Sequence, residues 1–175
     1  GCLIFLLRYT RKVLLFSDLH LHNWTYGATQ ERGWNSRLLV QKKFLDDIRE
    51  VVARENVDHV FFLGDLFHEH GILRADVIEI AYNGFKNIAQ SALGTCVALV
   101  GNHDFLTRNG GIHSLSFMEG TGWKIAFPEF TFDNFHFLSF IPDKKLFYDI
   151  LNMSSGKDFM FFHQGVLGVP MASGF

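Results

Sequence analysis

Three short, mainly apolar runs, Val13–Phe16, Val57–Leu63 and Cys96–Val100, each stop abruptly at a polar cluster. This pattern constrains the fold more than any other feature. Runs of four to seven apolar residues ended by Gly or Asp read as buried strands. The stretches between them have a different period. Leu38–Arg54 carries Leu38, Leu39, Phe44, Leu45, Ile48, Val51 and Val52 at spacings of three and four, which predicts an amphipathic helix. Arg74–Leu93 repeats the pattern through Val77, Ile78, Ile80, Ala81, Phe85 and Ile88. Strand, helix, strand, helix, strand implies parallel strands with right-handed crossovers.

The second part of the chain reads differently. Trp123–Phe127, Glu129–Phe132 and Phe135–Ile141 are predicted strands, with a tight turn at Asp133-Asn134. Asp143–Met153 is a predicted helix and Asp158–Phe162 a last buried strand. The expected class is α/β (α+β): a βαβαβ first half, then mixed sheets, stacked and flanked by helices. Residues 21–36, with Trp24, Tyr26, Gly27, Gly33 and Trp34, read as a long loop. Residues 1–12 read as a terminal extension or remnant able to add an edge strand, and 13–175 as one domain.

Composition supports a full core, since 48% of the 175 residues are apolar and Phe alone accounts for 20. The net charge of −2 excludes a simple basic DNA-coating protein. It does not exclude a nuclease, because bound cations supply local positive charge. Cys2 and Cys96 are too few and too far apart for a disulfide framework or a Cys-type zinc site, which fits a cytoplasmic protein. No apolar run approaches the roughly 18 residues of a membrane span, so no membrane partner is expected.

Polar residues collect where four predicted strands end: Asp18-Leu19-His20, Gly64-Asp65-Leu66-Phe67-His68, Gly101-Asn102-His103-Asp104 and His163-Gln164. Carboxyl ends of strands in open α/β sheets are where ligands bind. Asp, His and Asn offer the oxygen and nitrogen donors that suit divalent metals. A carboxylate can bridge two cations about 3.5–4 Å apart, the arrangement used in phosphoryl chemistry. Asp65, from the central predicted strand, is the candidate bridge. An extended Asp18-x-His20 segment would place both side chains on one side. Each cluster alone has an ordinary explanation as a strand-end turn or core histidine. Their joint occurrence, in order, is what points to a dinuclear site. His22, His59, His70, His113 and His136 lack that context and read as solvent-facing or structural.

These motifs resemble the calcineurin-like metallophosphoesterases. Ser17-Asp18-Leu19-His20, Gly64-Asp65-Leu66-Phe67-His68 and His163-Gln164 are most similar to the SbcD-type nuclease subunit of double-strand-break repair complexes. The resemblance spans residues 13–165. It implies two divalent ions, manganese foremost, with iron, zinc or magnesium as alternatives. It implies that Asp18 and His20 hold one ion, Asn102 and His163 the other, and that Asp65 bridges. His103 would be the catalytic histidine, protonating the leaving oxygen, with Asp104 orienting its imidazole. His68 would contact the phosphate or help position the strand. The family's following Gly-His-x-His motif has no counterpart after His163. The chain is therefore expected to be truncated at its carboxyl end, and an incomplete site is one of the alternatives.

The expected function is a metal-dependent phosphoesterase, foremost an exonuclease or endonuclease hydrolysing DNA. The alternatives are a small-molecule phosphodiesterase or phosphatase, and a catalytically incomplete fragment. Trp24, Tyr26 and Trp34 are candidates to stack on unpaired bases, although packing the loop onto the domain explains them better. Arg32, Arg37, Lys42 and Lys43 form a modest basic cluster that either touches phosphates or is a solvated helix face. DNA is the expected partner. A coiled-coil ATPase and a second copy of the chain are further partners by resemblance.

Overall fold

The computed structural model describes residues 5–8, 11–107, 111–153, 156 and 158–165. A five-stranded sheet has the order β1-β2-β5-β6-β7, formed by Phe5–Arg8, Lys12–Phe16, His59–Phe62, Cys96–Leu99 and Trp123–Ala126. β2, β5, β6 and β7 are parallel, and β1 pairs antiparallel with β2 at the edge. Helices α1 (Ser36–Glu55) and α2 (Ala75–Ser91) make the crossovers. A second sheet has the order β10-β9-β8, from Phe159–Phe162, Phe135–Leu138 and Glu129–Phe132. β9 is parallel to β10 and antiparallel to β8.

The residue pattern explains the layering. Central parallel strands are covered on both faces, so they are apolar throughout. Side chains alternate between two cores. Leu14, Phe16, Val60, Phe62, Cys96 and Ala98 face the helices, with Leu45, Ile48, Val52, Ile80 and Phe85. Val13, Leu15, Phe61, Val97 and Leu99 face the second sheet, with Phe135 and Phe137. The surplus Phe fills this second layer: Phe61 lies 4.7–5.5 Å, centroid to centroid, from the rings of Phe135, Phe137 and Phe161. Helix α3 (Lys144–Met153) covers the outer face of the second sheet through Phe147 and Ile150. The result is four layers, helix, sheet, sheet, helix, as the sequence pattern implied.

Two local differences have physical reasons. Residues 21–36 are not all loop: β3 (Gln30–Glu31) and β4 (Trp34–Asn35) form a small hairpin. Arg32 and Gly33 both adopt positive φ, 52° and 86°, as two-residue hairpin turns require. Two-residue strands are too short to show a period. The hairpin delivers Asn35, whose side chain accepts from the Arg37 and Leu38 amides and starts α1. The other difference is a 3-10 helix at Ser114–Thr121, in a stretch for which no element was predicted.

Candidate metal centre

The four polar clusters converge beyond the carboxyl ends of the strands. The loops after β2 and β5 run on together. Amides of Asp18, His20 and Leu21 donate to the carbonyls of Gly64, Asp65 and Leu66 at 3.0, 3.1 and 2.7 Å. Asp18, His20 and Asp65 all adopt the left-handed conformation, with φ of 56°, 44° and 60°. The Asp18-x-His20 segment is therefore not extended, contrary to the sequence reading. Backbone in this region is costly for residues with side chains and persists where the surroundings enforce it. Here the paired loops do so, and the side chains turn inward.

Glycines make the close approach possible. A Cβ on Gly101 would run into the Asp65 carboxylate, and one on Gly64 would lie 2.7 Å from His163 Nδ1. Gly64 also needs its φ of 98°.

Asp65 is buried at the centre. Its Oδ1 accepts from the His103 amide at 2.9 Å. Its Oδ2 faces His20 Nε2 at 3.6 Å and His163 Nε2 at 3.5 Å. Burial works to raise the Asp65 carboxyl, but the hydrogen bond and charge of His163, with the His103 amide, bring it below its ordinary value. The His163 ring is fixed by its Nδ1–H, which donates to the Leu63 carbonyl at 2.8 Å. That leaves Nε2 facing Asp65 Oδ2 and, at 3.0 Å, Asn102 Oδ1. Burial alone would push His163 down, yet Asp65 carries it up to about 9. For His20, burial outweighs the attraction of Asp65 and the imidazole lies below its ordinary value. His20 Nδ1 is buried without a hydrogen-bond partner among the described residues.

Two groups of side chains bring donor atoms within 4.8 Å of one another: His20, Asp65 and His103, and Asp18, Asp65 and His163. Asp65 belongs to both, the position expected of a bridging carboxylate. Asp18 stands near both imidazoles, since it groups with His163 and its Oδ1 also lies 3.9 Å from His20 Nε2. Asn102 stands beside His163. The donor set of carboxylate, imidazole and amide oxygen suits divalent cations.

His103 and Asp104 are adjacent in sequence but play separate parts. His103 Nδ1 donates to the His68 carbonyl at 3.1 Å, so a main-chain group fixes its tautomer. Asp104 does not orient that imidazole as expected. Its carboxylate accepts from the amides of Asp65, Leu66 and Gly101, each at 2.9 Å. Burial pushes the Asp104 carboxyl up to about 7, with those amides holding it back. Asp104 is a clamp between two of the site's loops.

His68 lies beside this centre in a chain of rings. Its ring centroid is 4.5 Å from Trp24, 5.3 Å from His22 and 6.1 Å from His103. Trp24 thus packs on the site rather than standing free, while Tyr26 is 90% exposed. His22 and His70 were assigned no site role from the sequence, yet both are here. His70 stacks on His103, with centroids 4.8 Å apart and planes at 20°. The available signal was a repeat of period two, His20-x-His22 and His68-x-His70. Half of the basic cluster is balanced, because Lys42 pairs with Asp46 and Lys43 with Asp47, each at 2.7 Å. Trp34 packs against the helix-side core.

A cavity of about 350 Å³ opens beside this centre, lined by Ser17, Asp18, Asn102, Phe162 and His163 among others. Paired sheets that converge carboxylates and imidazoles at their carboxyl ends define a metal-dependent hydrolase of the metallophosphoesterase class. Comparison with family models makes the assignment specific: residues 11–168 match the calcineurin-like phosphoesterase domain, and the chain belongs to that family. It is a metal-dependent phosphoesterase, and its family binds divalent metals. A search of curated proteins finds no match. No helix among the described residues is long and apolar enough to cross a membrane.

Proposed function

We propose that this phosphoesterase is a nuclease that hydrolyses phosphodiester bonds in DNA, with manganese as its working ion. The observation that carries the reading is the ring shelf beside His103. Trp24, His22 and His68 form a continuous series of contacts that ends at the rim, where Trp24 is 36% exposed. Rings placed this way stack on splayed nucleobases of any sequence. The resemblance of Gly64-Asp65-Leu66-Phe67-His68 to the SbcD-type nuclease motif supports the same reading.

Asp18, His20, Asp65, Asn102 and His163 would hold the cations. Bound there, two cations supply an activated water and neutralise charge developing on phosphorus. The chain's own residues do the rest. Asp65 gives one oxygen to the His103 amide and turns the other toward His20 and His163, where it would help hold a cation. The Leu63 carbonyl aims His163 Nε2 inward. His103, with Nδ1 engaged by the His68 carbonyl, has Nε2 left to give a proton to the leaving oxygen. Asp104 keeps the loops in register.

The test is manganese-dependent cleavage of linear duplex and single-stranded DNA, with His103→Ala as control. The reading expects cleavage that falls at least about a hundredfold in His103→Ala, while manganese binding survives. Turnover of chromogenic phosphomonoesters with no cleavage of any DNA would contradict it. A second reading, a small-molecule phosphodiesterase, is favoured by the balanced charges of Lys42 and Lys43. Cleavage of dinucleotides but not of DNA would select it.

A further inference from the structure

A second cavity, of about 300 Å³, adjoins the centre on the His103 side. Among the described residues, it is lined by His70, Asn102, His103 and Phe140. It shares Asn102 and Phe140 with the cavity that contains Ser17, Asp18 and His163. The two spaces therefore flank one wall, and Asn102 in that wall faces the metal-holding side chains.

The walls of the second cavity are held in place before any ligand arrives. His70 and Phe140 both neighbour Phe105, which is 2% exposed. His70 Nδ1–H donates to the Phe105 carbonyl at 3.0 Å. The Phe140 ring lies 6.3 Å from the Phe105 ring, and the Phe140 amide donates to the Val100 carbonyl at 2.9 Å. His70 adds a flat face stacked on His103. Two ring faces, one amide and one imidazole form a lining suited to a planar group with polar edges. Held rings lose little freedom on binding, which favours affinity.

The proton-donating atom of His103 decides which part of a substrate enters. The leaving oxygen must lie within hydrogen-bond reach of Nε2. The group attached to that oxygen then extends to the His103 side. We infer that the His70–Phe140 cavity is the leaving-group pocket, and that it takes a nucleoside-sized group bearing a flat ring. The other cavity takes the substituent that stays on phosphorus. In the hydrolysis, a bond from water oxygen to phosphorus forms and the bond to the leaving oxygen breaks. The leaving oxygen takes the His103 proton, and water's proton restores it. This inference rests on the phosphodiester reading and deepens it.

Two measurements test it. The first needs no metal: proton NMR of His70 and Phe140 during titration with deoxyadenosine or with deoxyribose. The pocket predicts shifts with the nucleoside that exceed those with the sugar, and their loss in Phe140→Ala and His70→Ala. Equal shifts with both ligands, or none at millimolar nucleoside, would overturn it. His70 is exposed, so His70→Ala tests the pocket even where Phe140→Ala perturbs folding. The second compares manganese-dependent hydrolysis of a dinucleotide with that of the same molecule lacking the base on one side. The product without phosphate identifies the leaving side. Removing the leaving-side base should raise KM roughly tenfold. Either variant should close that gap. A gap that persists in both variants would overturn the pocket alone. Base-dependent binding without hydrolysis of any diester would leave a nucleoside pocket but overturn both its leaving-group role and the phosphodiester reading.

Discussion

The two ends of the parallel sheet carry the same residue types and use them in opposite ways. At the amino ends, Asp58, His59 and Arg11 gather where β2 and β5 begin. The Asp58 carboxylate accepts from the Lys12 amide at 2.7 Å. His59 Nδ1 accepts from the Thr95 amide at 3.0 Å, and its ring meets Phe132 edge-on at 5.0 Å. Burial, with Arg11 beside it, holds His59 below its ordinary value. Arg11 pairs with Asp133 at 3.1 Å. These polar groups are consumed by the fold. At the carboxyl ends, Asp65 and His163 each give one atom to the backbone and turn the other inward, so that Asp65 Oδ2 meets Nε2 of both His20 and His163. Three residues there hold left-handed conformations to do so. The comparison teaches that an Asp/His cluster becomes a site when its side chains face each other with donor atoms to spare.

Asp104 breaks the pattern, being a carboxylate at the active end that serves backbone. Its removal gives the largest expected effect on stability. Asp104→Ala would leave three buried amides without an acceptor and should cost about 3–5 kcal/mol by chemical denaturation. A cost below about 1 kcal/mol would show that the clamp is not needed.

The next effect is pH dependence at the active end. His163 has a folded value of about 9, above the ordinary 6.5. Its protonated form therefore stabilises the metal-free protein fully below about pH 6.5, and this contribution disappears as pH rises through about 9. The loss should be on the order of 2–3 kcal/mol. EDTA-treated protein should show it in denaturation curves between those pH values, and His163→Gln should flatten it. Cation binding displaces the same proton, so manganese affinity should rise over this window.

Smaller changes are expected elsewhere. Asp58→Ala should cost about 1–2 kcal/mol in stability, because it removes one amide's acceptor. Lys42→Ala should change stability by less than about 0.5 kcal/mol, since the Lys42–Asp46 pair is exposed. A marked loss of DNA cleavage in Lys42→Ala would instead make that helix face part of the substrate path.

The legibility of the sequence follows the same division. The sheet was readable because Val13–Phe16, Val60–Leu63 and Cys96–Val100 are apolar on both faces, and such strands stand out from amphipathic helices. Convergence of Asp18, Asp65 and Asn102 was readable because they follow neighbouring parallel strands, whereas His163 follows β10 of the second sheet and reaches them through the stacking of the two sheets. What the side chains touch was not. Asp104 beside His103 in sequence suggested a pair, but consecutive residues in a turn point apart, and its carboxylate turned to the amides. His70 entered the site because its loop folds back along Phe105, a path set by tertiary contacts. For Lys42 and Lys43 the sequence left phosphate contact and a solvated helix face equally open, and their pairs with Asp46 and Asp47 favour the second.

The central claim is that the cluster at the carboxyl ends, and not the one at the amino ends, holds the cations. Calorimetric titration of manganese into wild type, Asp65→Ala and Asp58→Ala tests it most directly. The account predicts that Asp65→Ala lowers manganese affinity by at least about a hundredfold, and that Asp58→Ala binds as wild type does. Retained affinity in Asp65→Ala, or equal loss in both variants, would contradict it.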